Sequence, residues 1–184
     1  MDVKKAIEQR RAYRSLDKTV ITKELIEDLA KNARLSASCF NNQPWRFIFV
    51  YDSQVLERMH DVLTKGNRWA YDASMIIVVV SKKEYDCIIR DRTYYQFDSG
   101  MATALLILRA TELGFVAHPI AGFSPKKTRE ILNIPDDMEV ITLVIFGKHS
   151  KKIKAVLSDE QKQKERKRPN RFKLDKFVFH NTYS

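Results

Sequence analysis

The chain has 184 residues, which is the size of one domain and too short for two large ones. With 44% hydrophobic and 30% charged residues but only five glycines and five prolines, its composition supports a folded core and excludes collagen-like, linker-rich and disordered classes. The formal net charge is +10, and residues 151–184 contain eleven Lys or Arg against four Asp or Glu, so most of the excess positive charge lies at the C-terminal end.

Hydrophobic periodicity and capping residues predict a mixture of helices and strands in the first half of the chain. Thr22 and Ser53 are residue types that cap helix N-termini. The continuous apolar run at 75–80 indicates a strand that is buried on both faces. The predicted elements are a helix over 2–11, a helix that starts at 22, a strand over 45–51, a helix from 53 to 63 and a strand over 75–80.

The second half begins with a long predicted helix, which Gly114 is expected to end. Ser124 and Pro125 are typical of the N-cap and first turn of another helix. The apolar residues at 174–179 follow a polar, basic segment and should dock on another surface. The predicted elements are a helix over 98–113, a strand over 115–118, a helix from 124, a strand over 139–147, an extended basic arm over 150–170 and a strand-like end over 174–179. This order, without a strict βαβ rhythm, favours an α+β fold.

The sequence also indicates a compartment. Two cysteines cannot form the disulfide framework of a small secreted protein. The first eleven residues carry charges where a signal peptide has an apolar stretch, and the longest apolar run is far shorter than the about 20 residues of a membrane helix. We therefore expect a soluble cytoplasmic protein with no membrane partner.

Common nucleotide and metal motifs are missing from the sequence. It contains neither GxGxxG nor a GKS/T phosphate loop. No catalytic side chain and no metal site is expected, because the four histidines share no ligand spacing and neither cysteine has a CxxC partner. Cys39 has no histidine near it in sequence, so we expect a buried neutral thiol rather than a nucleophile. The histidines, expected to be surface or packing residues, are His60, His118, His149 and His180.

Three segments carry more specific information. QRRAYRS, at 9–15, places three arginines within five positions, where they repel one another unless an anion lies between them; a solvated face is the alternative. SASCFNNQPWRF, at 36–47, offers several polar side chains on a loop, although an ordinary turn would too. LGFVAHPIAGF, at 113–123, ends in small residues that would let the backbone approach a flat ligand.

Together and in this order, these segments resemble the signatures of the FMN-dependent nitroreductase family. RRAYRSL is similar to the family's RRSxRxF, ASCFNNQPWRF to PSxxNxQPWxF, and PIAGF to PIxGF. RFKLDKFVF resembles the family's ending, a basic residue followed by a short strand. The QPW motif is the most specific of these, and the resemblance spans nearly the whole chain.

The resemblance implies one nitroreductase-like domain over 1–184, with a central, mainly antiparallel sheet flanked by helices. It implies a homodimer with FMN at the subunit interface and a C-terminal strand, within the basic segment 150–184, exchanged across the dimer. The implied FMN-binding residues are Arg10, Arg11, Ala12, Arg14 and Arg171 at the phosphate and ribityl chain; Ala37, Ser38, Cys39 and Asn41 from the other subunit at the isoalloxazine; Pro119, Ile120, Ala121 and Gly122 along the ring; and Asn67. A backbone N–H near Ala121 would face flavin N5.

The chain departs from the family pattern at four of these positions. Ala12 and Cys39 stand where Ser is common, Ala37 where Pro is common, and Ala121 where some members have Glu. These changes leave the phosphate site intact, but substrate preference cannot be carried over.

The activity implied by the resemblance is ping-pong hydride transfer from NADH or NADPH to an electron-poor acceptor, such as a nitroaromatic or a quinone. One alternative is a nucleic-acid-binding module that uses the basic arm, with Tyr94, Tyr95 or Trp69 as stacking surfaces. Another is a flavin-binding protein of the same fold with different chemistry. The sequence leaves open the acceptor, the choice between NADH and NADPH, and whether residues 150–170 are ordered without the partner subunit.

Overall fold

The structure, a computed structural model, describes residues 1–183. The helices are α1 (Val3–Gln9), α2 (Lys23–Ala33), α3 (Ser53–Met59), α4 (Tyr95–Glu112), α5 (Pro125–Leu132) and α6 (Asp159–Arg166). The strands are β1 (Leu16–Asp17), β2 (Arg46–Val50), β3 (Met75–Ser81), β4 (Ile88–Ile89), β5 (Arg92–Thr93), β6 (Phe115–Ile120) and β7 (Glu139–His149). Within 1–183, none of the helices combines the length and apolar character that a bilayer crossing requires.

β7 is the centre of an antiparallel sheet. Residues 143–146 of β7 pair with both β3 and β6, so these two strands lie on opposite sides of it. β2 pairs with β3 at one edge, and β1 pairs with the end of β7 beyond β3. β4 and β5 form a separate hairpin. The predicted α+β fold with a mainly antiparallel sheet is therefore confirmed.

Two hydrophobic clusters cover the two faces of this sheet. Along β3, Ile76 and Val78 face a cluster that contains Trp69 and the end of α3, while Ile77 and Val79 face α2 and α4. All seven residues of β3 are buried. Helices on both faces explain why this strand is continuously apolar, as its sequence predicted.

Helix caps agree with the sequence at two positions and differ at a third. Thr22 and Ser124 accept hydrogen bonds from first-turn N–H groups of α2 and α5, as predicted. The expectation that Ser53 caps α3 was wrong, because Asp52 accepts from the N–H groups of residues 54 and 55 at 3.0 Å each. A carboxylate at this position also interacts favourably with the helix dipole.

The C-terminal segment differs most from the sequence-based expectation. Residues 150–170 are not an extended arm, because α6 forms within them and packs against the segment that follows α1. Residues 174–179 form a single turn at Leu174–Lys176 rather than a strand, and Phe172 and Leu174 are 82% and 70% exposed. A strand needs a neighbouring edge to pair with; exchange with a second subunit stays a prediction.

Candidate functional site

The segment that follows α1 places its arginines in one cavity with residues from α6 and the chain beyond it. This cavity has a volume of about 280 Å³. It contains all five residues expected at a phosphate, joined by three that the sequence analysis did not identify. Its lining residues are Arg10, Arg11, Ala12, Arg14, Lys164, Arg168, Pro169 and Arg171. Six of the eight are cationic and none is acidic, so the cavity is suited to an anion.

Two of these arginines hold the cavity wall together. The Arg11 guanidinium donates to the backbone carbonyls of Lys164 and Glu165 at 2.7 and 3.1 Å. The Arg168 guanidinium donates to the carbonyl of Arg10 at 2.9 Å. Arg11 and Arg168 therefore fix the α6 region against the segment after α1.

Arg10 and Arg14 are placed differently, since neither guanidinium has an ion-pair partner within residues 1–183. Burial lowers the pKa of both side chains below the usual arginine value. For Arg10, the neighbouring charges of Arg168 and Arg171 lower the pKa further, whereas Glu165 partly offsets the shift of Arg14. An anion in the cavity would relieve this repulsion.

Glu165, an acidic residue of α6, supports the backbone of the arginine segment that lines the cavity. Its side chain is buried and accepts hydrogen bonds from the backbone N–H groups of Arg14 and Ser15, at 2.7 and 3.3 Å. This role was not predicted from the sequence, because residues 150–170 were expected to be an extended arm without a helix. The spacing of Ser158 and Gln161, which form a capping box at the start of α6, is a signal that could have predicted the helix.

A series of contacts joins the arginine cavity to the turn that follows β6. The Arg14 guanidinium lies 5.8 Å from the ring centroid of Trp69, which stacks on His118. The indole N–H of Trp69 donates to Asn67 Oδ1 at 3.1 Å, and Asn67 Nδ2 donates to the Gly122 carbonyl at 2.9 Å. The segment at 9–15 and the segment at 113–123 are thus linked by direct contacts through Trp69 and Asn67.

The turn itself exposes backbone and small side chains. The Gly122 carbonyl also accepts from the backbone N–H and hydroxyl of Thr64, both at 3.1 Å. A Cβ at Gly122 would lie 2.6 Å from Asn67 Nδ2, so only glycine fits without a shift. Pro119 and Ala121 are exposed, but Ile120 is buried in the core, so a ligand could contact only its backbone.

The loop at 37–41 is held by its own contacts. Ser38 Oγ accepts from the N–H of Gln43 at 3.0 Å, and the N–H of Cys39 donates to Asp98 at 2.7 Å. Phe40, Asn41 and Gln43 have positive φ angles, and Ala37 and Asn41 are exposed. No hydrogen bond among residues 1–183 joins this loop to the arginine cavity or to the Gly122 turn. Its expected role in the site of a second subunit stays a prediction.

Cys39 is not the free thiol that the sequence analysis expected. It forms a disulfide with Cys87, with the two Cα atoms 6.0 Å apart. The expectation was wrong because Cys87 is 48 residues away in sequence and reaches the loop through the fold, at the start of the β4–β5 hairpin.

The residues proposed for base stacking in the nucleic-acid alternative differ in their exposure. Trp69 is 1% exposed, and the Tyr95 hydroxyl donates to Glu139 at 2.6 Å. The basic arm is folded against the body through Arg11 and Arg168. A nucleic acid would therefore find no exposed ring at Trp69, whereas Tyr94 and Tyr95 are half-buried.

Comparisons with known proteins agree on one family. Residues 7–148 match the sequence profile of the nitroreductase family. A protein from Archaeoglobus fulgidus, provisionally named NADH dehydrogenase/NAD(P)H nitroreductase, is 32% identical over 152 residues, which cover 78% of this chain and 83% of that protein.

Two solved structures have the same fold. One, described as an oxidoreductase containing FMN, has a TM-score of 0.86 at 27% identity and covers 97% of this chain and 91% of that one. The other, a nitroreductase family protein from Clostridium difficile 630, has a TM-score of 0.81 at 23% identity, with 99% of each chain covered.

Proposed function

Because this chain belongs to the nitroreductase family, we propose that it is an FMN-dependent oxidoreductase that uses NADH or NADPH as electron donor. FMN, when bound, supplies hydride transfer from the nicotinamide to an electron-poor acceptor such as a nitroaromatic or a quinone, in two half-reactions. The likeness to a solved oxidoreductase containing FMN supports this choice of cofactor. The arginine cavity is the observation that carries the proposal.

The residues of the cavity fit a phosphate monoester. Arg10, Arg14 and Arg171 would bind its oxygens. Within residues 1–183 the guanidinium groups of Arg10 and Arg14 have no ion pair, and the only hydrogen bond of the Arg171 guanidinium goes to the neighbouring Pro169 carbonyl. Guanidinium groups bind phosphate oxygens with paired, charge-assisted hydrogen bonds. Arg11 would act mainly by positioning, since its guanidinium already binds carbonyls of α6. Ala12 would add only backbone contact.

The Gly122 turn fits a flat ring. Pro119, Ala121 and Gly122 present little side-chain bulk, and the bonds to the Gly122 carbonyl hold the turn in one conformation. The N–H of Ala121 donates to no acceptor within residues 1–183, so it could donate to flavin N5. A donor at that position would stabilise the charge of the reduced ring. Asn67 would then act by holding the turn.

We further propose that the site is completed in a cytoplasmic homodimer. Ala37, Ser38, Cys39 and Asn41 of one subunit would contact the ring bound by the other. Two of these four, Ala37 and Asn41, are exposed, as such a contact requires.

The test compares FMN with riboflavin, which has the same ring and no phosphate. The purified protein should show a flavin absorbance band, directly or after addition of FMN, and should bind one FMN per chain. Arg14→Gln should weaken FMN binding by about 10- to 100-fold, the usual value of one charge-assisted hydrogen bond. Riboflavin binding should change little, because the lost contact is to the phosphate. Steady-state oxidation of NADH and NADPH with a quinone then tests turnover.

Arg129→Gln, on α5, is the matched control and should leave the affinities for both flavins unchanged. Absence of a flavin band after addition of FMN would refute the proposed cofactor. An equal loss of FMN and riboflavin binding in Arg14→Gln would show that Arg14 supports the fold rather than the phosphate.

A further inference from the structure

A second cluster of polar groups lies around the disulfide, away from the arginine cavity. One carboxylate oxygen of Asp86 and the sulfur atoms of Cys39 and Cys87 lie within 4.8 Å of one another. Asp98 adjoins the cluster, because it accepts the Cys39 N–H at 2.7 Å and interacts with Asp86. Three groups that commonly bind metals therefore meet at one point, from a loop and the start of a hairpin, and Asp98 of α4 lies beside them.

The two carboxyl groups of this cluster are buried. Asp86 and Asp98 are 8% and 2% exposed. Within residues 1–183 neither carboxyl group has a salt bridge, and Asp86 Oδ2 has no hydrogen-bond donor. The donors to Asp86 are neutral: its Oδ1 accepts from the Cys87 N–H at 2.8 Å and from the Asn42 side chain at 3.3 Å.

Two adjacent buried carboxyl groups without a salt bridge within residues 1–183 are suited to a bound cation. Reduction of the disulfide would add two thiols as ligands at the same point. Thiolate sulfur selects a soft cation such as Zn²⁺ over Mg²⁺ or Ca²⁺.

We propose that the reduced protein binds one Zn²⁺ through Cys39, Cys87, Asp86 and Asp98, and that the Cys39–Cys87 disulfide abolishes this site. Two sulfur and two oxygen ligands would make a four-coordinate set of atom types that bind Zn²⁺. The cation links the 37–41 loop to α4 and to the start of the β4–β5 hairpin. The cytoplasm, where we propose that the protein works, keeps thiols reduced, so the zinc form would be the resident one.

The zinc form and the disulfide form differ by two electrons. A dithiol reductant gives two electrons and two protons to the disulfide; the S–S bond breaks, two thiols form, and the reductant becomes a disulfide. Zn²⁺ then displaces the two thiol protons. In the reverse direction an azo oxidant such as diamide takes two electrons from the two thiolates and two protons from water and becomes a hydrazine; the S–S bond re-forms and the metal is released.

The test uses the full chain with its bound cofactor, reduced by a phosphine that does not chelate zinc. After addition of Zn²⁺ and desalting, elemental analysis should find one zinc per reduced chain and none in protein oxidised with diamide. Co²⁺ in place of Zn²⁺ should give a thiolate-to-cobalt charge-transfer band. Cys87→Ser should lose binding, and Asp86→Asn should weaken it by about tenfold or more.

Asp91→Asn, an exposed acid in the same hairpin, is the matched control and should bind zinc as the wild type does. Circular dichroism of each variant separates loss of the site from loss of the fold. Three results would overturn the proposal: no zinc in the reduced protein, equal zinc in the oxidised protein, or undiminished binding in folded Asp86→Asn and Cys87→Ser. Because the readout is bound metal, none of them depends on the flavin proposal.

Discussion

His118 is a buried histidine between the sheet and the arginine segment. It stacks on Trp69, and its Nδ1 lies 3.0 Å from the Tyr13 carbonyl oxygen. Burial lowers its pKa to about 4; the hydrogen bond to Tyr13 opposes this shift, and the charges of Arg14 and Arg10 add to it. His118 is therefore neutral at pH 7 in the folded protein.

This pKa predicts a loss of stability in acid. The folded-state value lies below the unfolded one of about 6.5, so the unfolded chain binds more protons between these values and stability falls as pH drops through that range. From about pH 8 to about pH 5, the free energy of unfolding should fall by about 2 kcal/mol more in the wild type than in His118→Gln. Urea denaturation of both proteins at both pH values measures this difference in the free energy of unfolding.

His180→Gln is the control for this experiment, because His180 is exposed. It should retain the full pH dependence of the wild type. The interpretation fails if His118→Gln and His180→Gln lose equal stability in acid.

Gly122 allows a second prediction for a single residue. Alanine there would place a Cβ 2.6 Å from Asn67 Nδ2 and 2.7 Å from Thr64 Oγ1. Both side chains must move, and the hydrogen bonds to the Gly122 carbonyl weaken, at a cost of about 1 to 2 kcal/mol in the free energy of unfolding. Gly66→Ala is the matched control, since a Cβ at Gly66 meets no atom within 4 Å. Chemical denaturation of both variants should separate them; equal stabilities would contradict the packing described here.

At the scale of an element, α6 connects stability to the arginine cavity. Ser158 Oγ accepts from the Gln161 N–H at 3.2 Å, and Gln161 Oε1 accepts from the Ser158 N–H at 3.1 Å. Ser158→Ala should destabilise α6 by about 1 kcal/mol, the usual cost of losing an N-cap. Because α6 carries Glu165, which holds the Arg14 backbone, FMN affinity should fall more than riboflavin affinity.

Ser53→Ala is the informative comparison for that change. Sequence alone predicts a cap at Ser53, whereas the structure places the cap at Asp52. Ser53→Ala should therefore leave the free energy of unfolding nearly unchanged. A loss equal to that of Ser158→Ala would contradict this assignment.

Elements stabilised by local signals were predictable from sequence. The strand at 75–81 follows from its apolar run, and α2 and α5 follow from the caps Thr22 and Ser124. α6 was predictable in principle from its capping box, but its polar sequence hid it, because the side chain that it buries, Glu165, is charged. Apolar periodicity cannot detect a helix that is held by buried hydrogen bonds.

The site residues likewise fall into those that a local sequence pattern predicts and those that depend on long-range contacts. Arg10, Arg11 and Arg14 were predictable, because clustered charges are visible in sequence. Arg168 was not, since its role depends on reaching the carbonyls of residues about 160 positions away. The Cys39–Cys87 bond was missed for the same reason: long-range proximity leaves no local pattern.

At the scale of the whole molecule, the described chain leaves apolar side chains uncovered at its C-terminal end. Phe172, Leu174 and Phe177 are 82%, 70% and 58% exposed, and they follow one another within six residues. Such a cluster is costly in water and typically marks a protein contact. The proposed homodimer gives it a surface, because each subunit would cover the end of the other.

The last prediction tests this contact without touching the phosphate site. Replacing Phe172, Leu174 and Phe177 together by serine keeps Arg171 and removes the apolar contact, so the variant should dissociate to monomers at concentrations where the wild type is a dimer in sedimentation equilibrium. Val20→Ser, at a position 80% exposed but far from the C-terminal end in sequence, should remain dimeric. FMN affinity of the triple variant should fall as well, since the loop at 37–41 would no longer reach the ring. A monomeric wild type at high micromolar concentration, or a triple variant as dimeric as the wild type, would show that the C-terminal residues do not join two subunits.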